Sequence, residues 1–219
     1  ILVLIGAVLS LWASATVKST YNKYSRVYSY SGLTGAQAAA QILRQAGIYD
    51  VRIEHVSGNL TDHYDPSKKV VNLSDSVYGS TSVSAVGVAA HECGHAVQHA
   101  HAYAPLKMRS SLVPVISFAS NWMMWVLLIG MFTLNVFPQI MLFGIILFAA
   151  TTLFSFITLP VEIDASRRAV KWLSEAGVTN NRNYGAAVSA LRSAAYTYVV
   201  AALGSLATLL YYIMIFLGR

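Results

Sequence analysis

Five consecutive residues, His91-Glu92-Cys93-Gly94-His95, have the types and spacing of a metal-dependent hydrolytic site. A helix advances about 100° per residue, so positions four apart share a face about 6 Å apart along the axis. His91 and His95 can then place both imidazoles on one metal ion. Glu92, one step round, can reach a water held there. This HExxH spacing supplies two ligands and a general base, a set suited to zinc. Cys93 lies about 200° round from His91, out of reach of the same ion. It reads as a small packing residue, and Gly94 as a point of close helix contact.

A catalytic zinc takes a third protein ligand and keeps one position open. His101 stands ten residues after His91, but the glycine that would break the helix at that spacing is replaced by Gln98. On an unbroken helix His101 sits about 15 Å along from His91 and turned away. His99 is one turn beyond His95, again too far. Asp62 and His63 lie in a loop before the helix and are weaker sources. The better source is Leu159-Pro160-Val161-Glu162-Ile163-Asp164, which holds the first carboxylates after the uncharged stretch 111–160. Two residues apart on a helix, Glu162 and Asp164 point different ways, so they are alternatives. Glu162 is the preferred ligand, completing a His₂Glu set of the gluzincin kind. The plain structural alternative for both is a membrane-edge charge paired with Arg167 or Arg168.

The elements that carry these residues alternate between apolar and polar blocks. The chain has 219 residues, 56% hydrophobic and 11% charged, where a soluble domain carries about a quarter charged residues. About 20 apolar residues cross a bilayer. The pattern predicts four spans, at Ile1–Val17, Leu112–Gly130, Pro138–Leu159 and Tyr196–Leu217. Residues 132–138 turn between the middle two. A cleaved signal peptide is the alternative for the first block, because Ala13-Ser14-Ala15 resembles a cleavage site. Between the spans, Thr34 should cap a helix over Gly35–Ala46. Val51–Val56 alternates as a strand, Asp62–Pro66 turns, and Lys69–Leu73 (Lys69, Val70, Val71, Asn72, Leu73) forms a second strand. Ser82 to about Tyr103 is helical around HECGH. Glu162–Glu175 is an amphipathic helix closed by Gly177, and Tyr184–Arg192 begins another that can run into the last span.

The predicted organisation is therefore a first span over 1–17 and a first part of the catalytic domain over 18–110. A membrane hairpin over 111–160, a second part over 161–195 and a last span over 196–219 follow. Residues 18–110 hold nine Lys/Arg against six Asp/Glu, and residues 161–192 hold five against three. The positive-inside rule places both in the cytoplasm. The hairpin keeps them on one side whichever way the protein is oriented, so Glu162 can meet the histidines. The net charge of +6 suits an anionic inner leaflet and gives no reason to invoke nucleic acid. One cysteine excludes an internal disulfide and is consistent with a reducing compartment.

HECGHAVQH, a hydrophobic hairpin and then LPVEIDASRRA together resemble the bacterial YugP-like membrane zinc metallopeptidases. The layout is also similar to the HtpX and CAAX-prenyl endopeptidase group. The resemblance covers nearly the whole chain. It implies a mainly α integral membrane protein of the bacterial cell membrane, with a gluzincin-like α+β protease domain, a small sheet and one zinc ion. It also implies hydrolysis of peptide bonds in unfolded or membrane-associated proteins, with Glu92 as the base. In the second group an Asp four residues after the Glu supports a ligand histidine. Here Ser166 stands in its place, and Asp164 is the nearby carboxylate that could serve. His55, His63, Tyr184 and Arg192 are the polar candidates for stabilising an oxyanion. In gluzincins the strand before the HExxH helix is an exposed edge that pairs with substrate, and Lys69–Leu73 occupies that place. Expected partners are a protein or peptide substrate, the lipid bilayer and membrane partner proteins. Two other classes are a site-2-type intramembrane protease, with HExxH inside a span, and a non-catalytic zinc-binding membrane scaffold.

Overall fold

The computed structural model describes residues 2–175 and 184–218; Gly177, the expected helix stop, lies outside them. The elements run α1 (Leu2–Tyr24), α2 (Gly35–Gln45), β1 (Arg52–Val56), β2 (His63–Asp65) and β3 (Val70–Ser74). They continue with α3 (Asp75–Tyr78), α4 (Val83–Ala100), α5 (Ala104–Phe132), α6 (Pro138–Glu175) and α7 (Tyr184–Leu217). The fold is mainly helical with one small sheet. Three of the described helices, α5, α6 and α7, are long and apolar enough to cross a membrane. They pack on one another, and α1 lies along α7.

Local signals explain the element starts. Thr34 accepts from the Gln37 backbone N–H while the Gln37 side chain accepts from the Thr34 N–H, a capping box that opens α2. Ser82 accepts from the Ala85 N–H and opens α4. Thr133 to Phe137 closes the turn between α5 and α6, with Val136 and Phe137 N–H both bonded to the Thr133 carbonyl. The expected spans Leu112–Gly130 and Pro138–Leu159 fall inside α5 and α6. The stretch Glu162–Glu175 is not a separate helix: α6 continues through Pro160 without a break. At about 1.5 Å per residue, Glu162 lies about 36 Å from the start of α6. That is just beyond a hydrocarbon core about 30 Å thick.

The sheet order is β1-β3-β2, with β1 parallel and β2 antiparallel to β3. The middle strand is buried along its length. Val71 and Leu73 pack with Ala39 and Ile42 of α2, and with Val86, Ala89 and Cys93 of α4. The same core takes in Ala169 and Leu173 of α6 and Ala187 and Leu191 of α7. The last turns of α6 and the first turns of α7 are thus part of the core that holds α4. A separate cluster, Leu127, Met141, Ile145 and Leu209, joins α5, α6 and α7 further along.

Candidate metal centre

Helix α4 presents His91 and His95 on one face, their rings 4.8 Å apart between centroids and nearly perpendicular. Helix α6 crosses that face at Gly94. A Cβ there would fall 2.8 Å from the carbonyl oxygen of Ala165 and 3.0 Å from its Cα. The absence of a side chain lets the two backbones meet, and the small Ala165 completes the contact. One turn earlier on α6, Glu162 is then brought against both imidazoles. Its Oε2 lies 3.2 Å from His91 Nε2 and 3.5 Å from His95 Nε2. One donor atom from each of the three residues lies within 4.8 Å of the others. Glu162 is 2% exposed, so its carboxylate is withdrawn from water; it faces these partners, Arg109, whose Nη1 lies 3.4 Å from Oε1, and the side chain of Tyr198, which is hydrogen-bonded to it.

The chemistry of this donor set fits a zinc ion. Each histidine is held at Nδ1, leaving Nε2 directed at the shared space. His91 Nδ1 lies 3.2 Å from the Ser166 hydroxyl. His95 Nδ1 lies 3.1 Å from Gln98 Oε1. The orientation of the Gln98 amide is fixed, because its Nε2 donates to the Val161 carbonyl at 2.8 Å and to Asp164 Oδ2 at 2.9 Å. Its oxygen must therefore accept from His95, which leaves the lone pair on His95 Nε2. Arg168 Nε donates to the same Asp164 oxygen at 2.6 Å. Asp164 is outside the donor trio and reaches His95 through Gln98, an indirect form of the carboxylate support that ligand histidines usually have. Burial pulls the His95 pKa down, but the neighbouring Glu162 and Glu92 carboxylates outweigh it and leave it above the ordinary value. Burial pushes the Cys93 thiol up; it is a packed neutral side chain whose Sγ–H contacts the Ala39 carbonyl.

Glu92 and all three donor residues line a cavity of about 440 Å³, shared with Asp62, His63, Tyr64, Arg109 and Tyr198. A smaller cavity of about 220 Å³ has Val17, Leu60, Val88 and Leu191 among its walls. It shares Asp62, His91, Glu92 and Tyr198 with the first. The two spaces meet at Glu92.

Other expected site residues are outside the donor trio. His101 ends α4 with Nδ1 on the Val97 carbonyl, and His99 Nδ1 takes the Tyr64 hydroxyl at 2.8 Å. Burial holds the Tyr64 phenol up at about 12. Asp62 and His63 reach the cavity wall without joining the donor trio. Asp62 accepts from the Ser74 N–H and hydroxyl. His55 pairs with Asp75, and Tyr184 and Arg192 line a different cavity between α6 and α7. The expectation for Lys69–Leu73 is corrected by the sheet order. That segment is β3, the middle strand, and Val70 to Asn72 are paired on both sides, so it has no free edge there. The strand at the cavity is β2, which falls where a turn was expected. Arg109 and Tyr198 are cavity residues that the sequence did not mark. They come from α5 and α7, far from the HExxH helix in the chain, and no local spacing links them to it.

Comparison with known proteins agrees with this centre. A family model described as "Putative neutral zinc metallopeptidase" matches residues 1–217. The "Putative membrane protease YugP" of Bacillus subtilis (strain 168) is 47% identical over 212 residues, covering 96% of this chain and 92% of that protein. No solved structure matches. With two histidines and a glutamate converging beside a cavity, in a chain matched from end to end, this membrane protein belongs to the neutral zinc metallopeptidase family.

Proposed function

We propose that the protein is a zinc-dependent, membrane-embedded endopeptidase of the gluzincin type, acting on unfolded or membrane-associated proteins at the membrane surface. The observation that carries this reading is the convergence of both Nε2 atoms on one Glu162 oxygen beside a second buried carboxylate, Glu92, that is outside the trio. His91, His95 and Glu162 would hold one zinc ion. When bound, the metal polarises the scissile carbonyl and lowers the pKa of a water molecule towards about 7. Glu92 accepts the water proton and returns it to the leaving amine. Tyr198 and Arg109, on the cavity wall, are the donors for the developing oxyanion. They are preferred to His55, which pairs with Asp75, and to Tyr184 and Arg192, which line another cavity; His63 shares the wall with them.

The substrate enters as an extended chain along β2, the outer strand of the sheet. Its own β2 pairing is with β3 alone among the described residues, and Asp62 to Tyr64 and Pro66 face the cavity. The smaller apolar cavity takes a side chain beyond the scissile bond. Helix α4 is not one of the three membrane-length helices, which favours a site at the surface over one inside the bilayer. In this reading α1 is a fourth span, and both extramembrane segments and the site face the cytoplasm of a bacterial cell. The test is Glu92→Gln. The charge that binds the proton is lost and the ligands are untouched, so zinc content should be unchanged. Cleavage of an unfolded protein in detergent should fall about 10²–10⁴-fold. Retained cleavage would remove Glu92 from the mechanism.

A further inference from the structure

A cavity larger than the one at the metal centre lies away from it. It is a groove of about 650 Å³ between the extramembrane end of α6 and the start of α7. Its α6 wall uses Ile163, Ser166, Arg167, Val170, Lys171 and Ser174, spaced three and four apart on one helix face. The α7 wall uses Tyr184, Val188, Leu191, Arg192 and Ala195 with the same spacing. Three cations line it, Arg167, Lys171 and Arg192, against one carboxylate, Glu175. That carboxylate lies 3.8 Å from Lys171, which leaves the excess positive charge with the two arginines. Both arginines are exposed, and neither is paired with a carboxylate within salt-bridge distance among the described residues.

The level of the groove is set by the sequence. Arg192 is the last charged residue before the uncharged run 193–218, and Arg167 comes soon after the uncharged run 111–160. The two guanidiniums therefore stand where α6 and α7 leave the apolar layer, at the depth of lipid phosphates. Arginine matches phosphate oxygens through two parallel N–H donors. The apolar side chains Ile163, Val188, Leu191 and Ala195 suit a glycerol backbone and the roots of acyl chains. We infer that this groove is a binding site for the headgroup of an anionic phospholipid, with Arg167 and Arg192 on the phosphate. Ser166 lines the groove and also meets His91 Nδ1, so a bound lipid lies one side chain from the metal centre. The inference is independent of the catalytic reading.

The test is a thermal-shift titration of the full chain in neutral detergent with phosphatidylglycerol, phosphatidylcholine or inorganic phosphate. Phosphatidylglycerol should raise the melting temperature saturably, and the other two should not. In the double variant Arg167→Gln, Arg192→Gln the lipid concentration at half-effect should rise at least about tenfold, the size expected for losing one or two charge-assisted bonds. The double variant Lys18→Gln, Lys23→Gln, which removes equal charge from α1, should titrate like the wild type. Native mass spectrometry of the wild type should find one phosphatidylglycerol retained per chain, a readout that does not depend on the variant folding. An unchanged titration in the arginine variant, an equal loss in the lysine variant, an equal rise with inorganic phosphate, or no retained lipid would each overturn the inference.

Discussion

His91 and His95 differ in what holds them, although they share a helix face and a carboxylate. Ser166 meets one ring and Gln98 the other, and Gln98 is fixed in turn by Asp164 and the Val161 carbonyl. The HExxH spacing and the isolation of Glu162 after 50 uncharged residues made the three donors readable from sequence. Of the supports, Asp164 was readable as the nearby carboxylate, whereas Gln98 looked only like a residue that keeps the helix intact, and Ser166 only like a missing aspartate. Tyr198 has the same history, and its proposed role is testable. Removing one oxyanion donor costs about 10²–10³ in kcat. Tyr198→Phe should lower kcat by that order with KM and zinc content little changed; an unchanged kcat would exclude it. The metal-free protein carries a further consequence. A folded His95 pKa above its ordinary 6.5 means that its protonated form, paired with Glu162, stabilises the fold fully below that value. This contribution is lost as the pH rises through the higher folded value. The melting temperature of chelator-treated protein should therefore drop over that range more than that of a His95→Gln variant.

At the scale of elements, the crossing of α4 and α6 decides whether a site exists. Alanine in place of glycine favours a helix by about 1 kcal/mol, so propensity alone predicts that Gly94→Ala is harmless or stabilising. The contact predicts otherwise. The new Cβ would press on backbone atoms of Ala165 at 2.8–3.0 Å, which cannot rotate aside, so α6 must move and take Glu162 with it. Gly94→Ala should keep its helix content by circular dichroism while zinc affinity and kcat fall. Unchanged affinity would show that the crossing is less tight than described. Most helices were readable here because their caps and apolar blocks are local signals. The sheet was not. Three-residue β2, with Asp65 and Pro66 at its end, carries turn residues and owes its pairing to β3. The edge role expected of β3 came from the gluzincin resemblance, and sequence order does not reveal that β2 folds back onto it.

Taken as a whole, the molecule builds one centre from two parts of the chain separated by the α5–α6 hairpin. Helix α6 serves both regions as a single rod of 38 residues, about 57 Å long at 1.5 Å per residue. The depth of Glu162 relative to His91 and His95 is thereby tied to the seating of α6 among its neighbours α5 and α7. The uncharged runs 111–160 and 193–218 mark the apolar parts of α5, α6 and α7, the three described helices long and apolar enough to cross a membrane. The continuity of α6 through Pro160 runs against the usual behaviour of proline inside a helix. The central claim is that Glu162 completes a zinc site begun by HECGH. Metal content per chain, measured on detergent-purified protein by elemental analysis beside Glu162→Ala and Glu92→Gln, tests it most directly. The account predicts about one zinc in the wild type and in Glu92→Gln, the full set of a three-ligand site, and a large loss in Glu162→Ala. One zinc retained by a folded Glu162→Ala protein would contradict it.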